Sequence, residues 1–505
     1  MLFTEPTFLF LFLPLLLALY FAPDLARLAQ HHASAAHGSY ANWLLLAASV
    51  LFYAKGGGAF TWLMLGSIAF NYWMAIAVDR AADRQQARRW LALAVTANLV
   101  VLGIYKYANF FADNLNALAG ASGLPRVEVP RVLLPIGISF FTFHAISYVV
   151  DVSRRDATAQ KSPVHAALYL LLFPQLIAGP IIRYRDIADQ LARRTVSIDD
   201  FAYGVRRFVL GLGKKVLVAN VVAGPADKIF SMPAAQLSPA HAWLGIVCYT
   251  LQIYFDFSGY SDMAIGLGRM FGFRFPENFR WPYIAASVQE FWRRWHISLS
   301  TWFRDYLYIP LGGNRVSPAR QYRNLITVFF LCGLWHGASW NFVVWGLWHG
   351  AFLVIERVVS ERNPETRNAQ SIRNPQSAIR IVDWPIWRHI YTMAVVMVGW
   401  VFFRAETLPA AVVFLKAMAG AAPAAMSPYT IGWYLTPELW LALAAGALGS
   451  TPWIAALAPR LERIEPRPLA AGVRLAATAG LVALLVLAII SVSARTYNPF
   501  IYFRF

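Results

Sequence analysis

The chain has few charged residues. They make up 14% of its 505 positions, against roughly a quarter in an ordinary soluble domain. A soluble protein of this length needs charged side chains to cover its cores, so their scarcity argues against a soluble globular protein. The aromatic content of 15% excludes collagen, disordered tails and coiled coils. The composition is that of an integral membrane protein.

Cysteine is almost absent, and so are the short motifs of several enzyme classes. The two cysteines, Cys248 and Cys332, lie in apolar runs, which argues against a disulfide framework and a cysteine-based metal site. No HExxH, P-loop, GxSxG or dinucleotide fingerprint occurs, so these hydrolytic routes and nucleotide-driven transport have no support. The net charge of +18 comes with arginines in short breaks between apolar stretches, which favours membrane orientation signals over nucleic-acid binding.

Apolar stretches recur along the whole chain. A membrane-spanning helix needs about 20 mainly apolar residues, and we predict a span at each stretch that approaches this length. The first has no basic residue before Arg27, so we interpret it as a retained helix and not as a cleaved signal peptide. The predicted spans are Thr7–Ala22, Asn42–Ala54, Phe60–Val78, Leu91–Tyr105, Val132–Val150, Phe208–Val222, Ala242–Phe257, Ile390–Phe403, Leu439–Leu457 and Leu475–Val492.

Basic residues in the breaks predict the orientation. Cytoplasmic loops carry the excess of lysine and arginine, so we place the basic stretches in the cytoplasm, which puts the N-terminus outside. These stretches are Arg80–Arg89, Arg154–Lys161, Arg183–Arg207, Arg269–Arg323 and Arg357–Arg388.

Two further apolar segments do not fit a single crossing. His165–Ile182 has cytoplasmic flanks on both sides and contains the helix breaker Pro174, which favours a re-entrant segment surrounded by protein or a water-filled cavity. Asn324–Ile355 is too long for one straight crossing and shorter than the about 40 residues that two crossings need. We therefore predict a hairpin that turns inside the membrane, with Gly333 and Gly337 as its breakpoints.

One histidine of that hairpin is predicted to lie at membrane depth. Counted from Asn324, His336 is about 18 Å along the helix, close to the bilayer midplane, where an ionisable side chain marks a functional site. The pentapeptide Leu-Trp-His-Gly-Ala occurs twice, around His336 and around His349. Polar Ser339 and Asn341 follow the first copy and apolar residues follow the second. We therefore predict a functional His336 and a structural His349.

A second polar group surrounds His296. If Phe291–His296 is helical, Trp292 and His296 lie one turn apart and aromatic rings flank the imidazole. Arg293 and Arg294 then point towards the cytoplasm or towards an anionic ligand. The alternatives are an interfacial aromatic belt with snorkelling arginines and a core histidine that is hydrogen-bonded to backbone.

A third polar group contains two carboxylates. Asp256 and Asp262 could form a proton relay, but we favour the interpretation that they pair with arginines or cap helix ends. A relay would suit a transporter or an export-channel subunit of a polysaccharide secretion complex, which is the alternative function. The chain shows no repeat of its halves such as transporters often have. A purely structural scaffold leaves the buried histidines unexplained.

Five segments carry a resemblance to a known family. They are LPIGISFFTFHAISYVVDVSRRD (Leu134–Asp156), LFPQLIAGPIIRY (Leu172–Tyr184), YFDFSGYSDMAIGLGRMFGFRFPENFRWPY (Tyr254–Tyr283), FWRRWHISLSTWFRDYLYIPLGGNR (Phe291–Arg315) and LWHGASWNF (Leu334–Phe342). Together they resemble the membrane-bound O-acyltransferase (MBOAT) family, and most closely its alginate O-acetyltransferase branch. The resemblance runs almost from end to end.

The resemblance implies a fold and an activity. The fold is an all-α polytopic membrane protein, a ring of about 10–12 transmembrane helices with re-entrant segments around a central cavity. It forms one domain over residues 1–505, with a flexible cytoplasmic loop at 360–381. The activity moves an acetyl group from cytoplasmic acetyl-CoA, or another acyl thioester, to a periplasmic acetyltransferase partner in a polysaccharide biosynthesis complex, such as that for alginate. We expect a bacterial inner-membrane protein in contact with lipids, with no nucleic acid, no metal and no tightly bound cofactor.

The resemblance also implies site residues. The family's catalytic histidine falls on His336 and its second functional histidine on His296, in a Trp-His-x-Ser segment. A histidine can act as a general base on a hydroxyl near neutral pH because its unperturbed pKa is near 6.5. The candidate substrate-binding residues, with the arginines for donor phosphates, are Trp335, Asn341, Trp295, Ser298, Arg293, Arg294 and Arg304.

Overall fold

The computed structural model describes residues 1–28, 38–362, 385–421, 427, 429–453, 455–457 and 467–494. All regular secondary structure in these residues is helical. The chain divides into two compact units, one made of Met1–Phe208 and Tyr260–Pro276 and the other of Val209–Gly259 and Glu277–Phe505. Of the predicted loop at 360–381, the first three residues belong to a helix and the remainder lies outside the described residues.

The helices that begin in the first unit follow one another through short connections. They include a π-helical turn (Phe8–Phe12), α1 (Leu13–Leu28), α2 (Ser39–Gly57), α3 (Phe60–Asp79), α4 (Arg84–Ala121), α5 (Ile138–Arg154), α6 (Pro163–Leu171), α7 (Tyr184–Ala192) and α8 (Ile198–Gly213).

Of the two predicted functional histidines, His336 lies on a helix of the second unit and His296 lies between two of its helices. The helices that begin in this unit include a π-helical turn (Lys214–Ala219), α9 (Asn220–Phe230), α10 (Pro239–Met270), α11 (Val288–Arg294), α12 (Ile297–Phe303), a second π-helical turn (Arg304–Tyr308), α13 (Pro318–His336), α14 (Trp340–Arg362), α15 (Ile386–Arg404), α16 (Leu408–Met418), α17 (Pro437–Gly449) and α18 (Arg467–Ala494).

The described helices include six that are long and apolar enough to cross a membrane. Shorter apolar helices add Phe8–Pro23, Leu408–Met418 and Pro437–Gly449. The chain is therefore a multi-pass membrane protein, as its composition predicts. The six longer helical stretches are Phe60–Asp79, Arg84–Ala121, Ile198–Phe230, Trp340–Glu361, Ile386–Arg404 and Ala471–Ala494.

Several helix boundaries differ from the predicted spans. The span Leu91–Tyr105 lies inside α4, which has 38 residues and is about 57 Å long. The first part of Val132–Val150 is not helical, because α5 begins only after Gly137, whose φ of 75° lies in the left-handed region. Leu439–Leu457 is also too long, since α17 ends at Gly449 and a turn follows. Apolar composition locates the spans, but local backbone conformation sets their ends.

The predicted re-entrant segment is confirmed as a break in helical structure. After α6 ends at Leu171, residues 172–183 are non-helical, and residues 172–182 are buried. At the C-terminal end of this stretch, the carbonyl oxygen of Ile182 accepts from the hydroxyl of Tyr169 at 3.0 Å. The N–H of Ile182 donates to Nε2 of His144 at 3.2 Å. Non-helical backbone at membrane depth needs such protein partners. Entry and exit on the same face stay a prediction.

Both carboxylates of the third polar group are buried and paired with cations. In the first unit, Asp262 accepts from the guanidinium of Arg207 at 2.7 and 2.9 Å. In the second unit, Asp256 lies 2.8 Å from the ammonium of Lys215. These contacts match the structural interpretation, with a lysine in place of one arginine. Removing one partner of a buried pair leaves an uncompensated charge, so loss of either partner is expected to destabilise the unit that contains the pair.

Candidate active site

α13 and α14 form the helical hairpin that the sequence predicts. It is longer than expected and runs from Pro318 to Arg362. α13 ends at His336, and Gly337 caps it in an extended conformation. A Cβ added at Gly337 would collide with the ring of Phe342, so the turn depends on glycine at this position. His336 is therefore the last residue of α13, directly at the turn.

Two glycines bring the helices of the hairpin close together. Gly333 was predicted as a breakpoint, but it lies inside α13 and does not break the helix. A Cβ on Gly333 would collide with the carbonyl oxygen of Phe342, and one on Gly346 with that of Phe329. Each added Cβ would also lie 3.2–3.3 Å from the Cα of the other glycine. Because each glycine directly precedes a Leu-Trp-His-Gly-Ala copy, the repeat supplies one half of this helix contact from each helix.

Aromatic side chains surround the His336 ring. The ring centroids of Trp335 and Trp345 each lie 4.9 Å from that of His336, and the Phe403 centroid lies 5.1 Å from it. Trp345 comes from α14 and Phe403 from α15. His336 is 6% exposed, so these rings bury most of the residue without sealing it completely.

His296 lies in a turn, so the helix over Phe291–His296 that would place Trp292 one turn away from it does not form. α11 ends two residues before it, and its backbone is left-handed, with φ 43° and ψ 54°. Asn278 holds the turn. Its backbone oxygen accepts from Ile297 N–H at 2.9 Å, and its side-chain oxygen accepts from the N–H and hydroxyl of Ser298 at 3.2 and 2.9 Å. Left-handed backbone is uncommon outside glycine and concentrates at functional sites.

The turn brings His296 to His336. Their ring centroids are 6.5 Å apart, and the ring planes are inclined by 51°. Phe257 also packs against His296, with the two ring centroids 4.6 Å apart. His296 is fully buried, and no residue in the described part of the chain forms a hydrogen bond with either of its ring nitrogens. The two histidines thus come together from sequence positions that are far apart.

His349, in the second copy of the pentapeptide, lies in a different environment. It is fully buried, and its ring packs against Trp292 at 5.1 Å and Trp345 at 5.3 Å between centroids. A Cβ on Gly399 would lie 2.5 Å from its Nε2. Trp345 contacts both His336 and His349, so the two copies share an aromatic neighbour. Of these two histidines, His336 is the one that contacts His296.

The two predicted tryptophans differ in their relation to the histidine pair. Trp335 contacts both imidazoles, with centroid distances of 4.9 Å to His336 and 6.2 Å to His296. Trp295 is buried on other aromatic rings, with Trp400 at 4.9 Å and Phe279 at 5.0 Å. Trp335 is therefore part of the wall of the histidine pair, and Trp295 packs the neighbouring core.

The two predicted polar residues are engaged with protein groups. The Ser298 hydroxyl donates to Asn278, as described above. The Asn341 amide donates to the carbonyl oxygen of Ala405, at the end of α15. Both side chains are buried. They connect the elements that carry the histidines, which is a structural role beside the substrate contact that the sequence predicts.

The three predicted arginines have different surroundings. Arg294 donates to Glu290 at 2.7 and 2.9 Å, and Arg304 lies 2.7 Å from Asp305. Arg293 is exposed, and none of the described residues forms an ion pair with it. It is the arginine with the fewest competing contacts. In the described ranges no group of three or more His, Cys, Asp or Glu side chains is placed to hold a metal ion.

Sequence analysis missed residues that complete the site. Asn278, Trp345, Phe257 and Phe403 contact the histidines or hold their turn. The first three lie in or near the segments of family resemblance, but no local period connects them to a histidine. One signal for Asn278 was available in the sequence. It is an amide in an aromatic stretch, and a buried amide needs hydrogen-bond partners.

Residues 60–401 match the sequence model of the MBOAT, membrane-bound O-acyltransferase family. The chain belongs to this family. The matched MBOAT region contains the turn of His296, the hairpin α13–α14 and most of α15. The predicted family and the predicted all-helical membrane class are both confirmed.

Named relatives of this MBOAT chain are O-acyltransferases. It is 42% identical to "Probable alginate O-acetylase AlgI" of Pseudomonas putida over 527 aligned positions and 100% of both chains. It is 47% identical to the protein of that name in Azotobacter vinelandii, over 81% of this chain and 76% of the relative. Identity to "Peptidoglycan O-acetyltransferase" of Helicobacter pylori is 37%, over 83% and 80%. The chain is a membrane O-acyltransferase and uses an acyl donor.

Proposed function

We propose that this protein passes an acetyl group from a cytoplasmic thioester, acetyl-CoA in the simplest case, across the bacterial inner membrane to a periplasmic acetyltransferase partner. The product pathway is O-acetylation of an exopolysaccharide such as alginate. Relatives named as alginate O-acetylases over most or all of the chain support the substrate class. The predicted orientation, with its basic loops in the cytoplasm, supports the direction of transfer.

The observation that carries the proposal is the approach of His296 and His336. Two hydrogen bonds of about 2.8 Å meeting at one atom span about 5.6 Å. Imidazoles whose centroids are 6.5 Å apart can both contact a single hydroxyl or carbonyl oxygen when a nitrogen of each ring faces the other ring. The aromatic rings around them exclude bulk water, which strengthens polar interactions with a bound reactant.

In the proposed reaction His336 is the general base. It removes the proton of an acceptor hydroxyl while that oxygen forms a bond to the thioester carbonyl carbon. The carbon–sulfur bond then breaks, and the proton passes from the imidazole to the leaving thiolate. The transfer needs no nucleotide hydrolysis, because the thioester supplies the free energy. General-base help contributes about 10²–10⁴-fold, and positioning contributes the rest.

The second histidine and the arginines have supporting roles in the proposal. His296 polarises the thioester carbonyl or holds a water molecule, since its ring nitrogens have no partner among the described residues. Trp335 forms the wall beside both rings. Arg293 is the best placed of the three arginines to contact donor phosphates, because it is exposed and forms no ion pair with a described residue, whereas Arg304 is also exposed but contacts Asp305. Arginine suits bidentate phosphate contacts. Arg294 and Arg304 already serve carboxylates.

The two copies of the pentapeptide offer a matched test. His336→Gln and His349→Gln make the same substitution in the same motif. We expect His336→Gln to lower label transfer at least 10²-fold, because the base is lost, and His349→Gln to retain most activity. The measurement is transfer of label from [14C]acetyl-CoA in membranes of a host that supplies the acceptor proteins, at equal protein abundance.

The outcome separates the proposal from its rivals. Normal transfer by His336→Gln would contradict the assignment of the base, and loss confined to His349→Gln would mean that the second copy is catalytic. A transporter that only exports polymer would move no label from acetyl-CoA even as the wild-type protein.

A further inference from the structure

Glu356 of α14 contacts the first turn of α11. One oxygen of its carboxylate accepts from Val288 N–H at 2.7 Å and the other accepts from Gln289 N–H at 3.0 Å. The first N–H groups of a helix have no acceptor within that helix. A negative charge at this end is also favoured by the helix dipole. Glu356 therefore binds the start of α11 with both oxygens.

The local sequence satisfies the neighbouring N–H groups. Ser287 Oγ accepts from Glu290 N–H at 3.0 Å, and the Glu290 carboxylate accepts from Ala286 N–H at 3.0 Å. This arrangement is close to a capping box. It leaves the N–H groups of the first two helical residues without a local acceptor. Glu356 supplies these two acceptors from a distant part of the chain.

The position of α11 along α14 determines where His296 lies. Trp292 of α11 packs against His349 at 5.1 Å and against Trp345 at 5.7 Å between ring centroids. Both partners lie on α14 between Glu356 and the hairpin turn. α11 therefore runs antiparallel to α14, from Glu356 towards the turn. Its C-terminal end leads directly to His296, beside the last residue of α13.

We propose that Glu356 is a positioning residue that sets the distance between His296 and His336 by holding the start of α11 on α14. The inference rests on the proposed function of the two histidines. α11 has only seven residues, and so short a helix is not stable by itself. Its place depends on its contacts with the rest of the protein, which are the packing of Trp292 on α14, Glu356 at its start and the Asn278-held turn at its end.

The consequence is a lower rate of turnover. Glu356→Gln keeps the side-chain shape but turns an amide N–H₂ towards one of the two backbone N–H donors, so one contact becomes repulsive. A misplacement of about 1 Å can lower a reaction rate about 10²-fold. Arg293, the proposed contact for donor phosphates, lies on α11, so the KM for acetyl-CoA does not decide the inference and kcat does.

The test measures kcat and KM for [14C]acetyl-CoA in membranes of a host that supplies the acceptor proteins, normalised to the amount of folded, monodisperse protein after extraction. We expect Glu356→Gln to lower kcat about 10-fold to 100-fold, and Glu356→Asp to give an intermediate value because the charge remains on a shorter side chain. Glu361→Gln is the matched control on the same helix. Its carboxylate accepts from Arg357 and Tyr322, so wild-type kinetics are expected.

Each result decides the inference. Wild-type kcat per folded molecule in Glu356→Gln would overturn it, even if less protein accumulates, because that pattern belongs to a purely structural role. If Glu356→Gln does not fold, Gln289→Pro decides instead. It removes the N–H that one carboxylate oxygen accepts, in a helical turn that tolerates proline, and an unchanged kcat would overturn the inference.

The controls separate this inference from the proposed function. If wild-type membranes transfer no label, the proposed function fails, and this inference fails with it. If the wild type is active, His336→Gln is inactive and Glu356→Gln equals the wild type, then only the role of Glu356 is wrong.

Discussion

At the residue scale, the surroundings of two identical motifs distinguish their histidines. His336 and His349 share the same four neighbouring residue types, and the sequence favours His336 because polar residues follow it. One of these, Asn341, donates to the backbone of Ala405 and so serves the packing. What sets His336 apart in three dimensions is its approach to His296.

The turn of His296 gives a prediction at this scale. Asn278→Ala removes the acceptor of the Ser298 N–H and hydroxyl and leaves a buried N–H unpaired, at a cost of about 1–3 kcal/mol. We expect the unfolding midpoint to fall and acetyl transfer to drop about 10-fold or more, as His296 loses its fixed position. Transfer of label and thermal unfolding in detergent are the two measurements.

Asn314→Ala is the control for that variant. Asn314 also accepts hydrogen bonds through its side chain, from Tyr308 and Gln321, but it does not hold the His296 turn. Wild-type transfer is expected for it. Wild-type transfer in Asn278→Ala would show that the left-handed turn keeps its geometry without the amide.

At the element scale, the hairpin of α13 and α14 is the feature that the sequence predicts best. Its length and its glycines indicated a turn inside the apolar segment, and the turn falls at Gly337. The role of Gly333 was predicted wrongly, since this glycine allows close helix packing and does not break the helix. Small residues at helix contacts let backbones approach closely in membranes, and a hydropathy pattern does not distinguish that use from a break.

The helix contact gives a prediction at the element scale. Gly346→Ala places a Cβ where the carbonyl oxygen of Phe329 lies, so α13 and α14 must separate. Overpacking of this kind costs about 1–3 kcal/mol. We expect a lower unfolding midpoint in detergent together with lower acetyl transfer, because His336 ends α13.

Gly224→Ala is the matched control in α9, where nothing lies within 4 Å of the added Cβ, and it should be neutral or slightly stabilising. Equal midpoints for the two variants would contradict the close-contact role.

At the scale of the whole molecule, composition and charge placement determine the class and the predicted orientation. Six apolar helices of spanning length are present among the described residues, and the basic stretches lie between apolar segments. The orientation itself remains a prediction of the positive-inside rule. The paired state of Asp256 and Asp262 in their respective units removes the main support for a proton-relay transporter.

The orientation can be measured with single cysteines. Ala82, between α3 and α4, and Val129, between α4 and α5, are both exposed, and the predicted topology places them on opposite sides of the membrane. The two native cysteines are buried, so background labelling should be low. We expect a membrane-impermeant maleimide to label Val129→Cys in intact spheroplasts and Ala82→Cys only after the membrane is opened. The reverse pattern would invert the topology and contradict a cytoplasmic donor side.

The sequence by itself determined the class, the family, the presence of the hairpin and the choice of two histidines, because these depend on composition, on hydropathy over many residues and on motifs of contiguous residues. Only the tertiary structure decided how the site is built. Asn278 and Glu356 act on backbone groups that are 20 or more positions away along the chain, and His296 owes its place to a left-handed turn that interrupts a helical pattern. Such contacts depend on which helices lie side by side, and local periodicity carries no information about that.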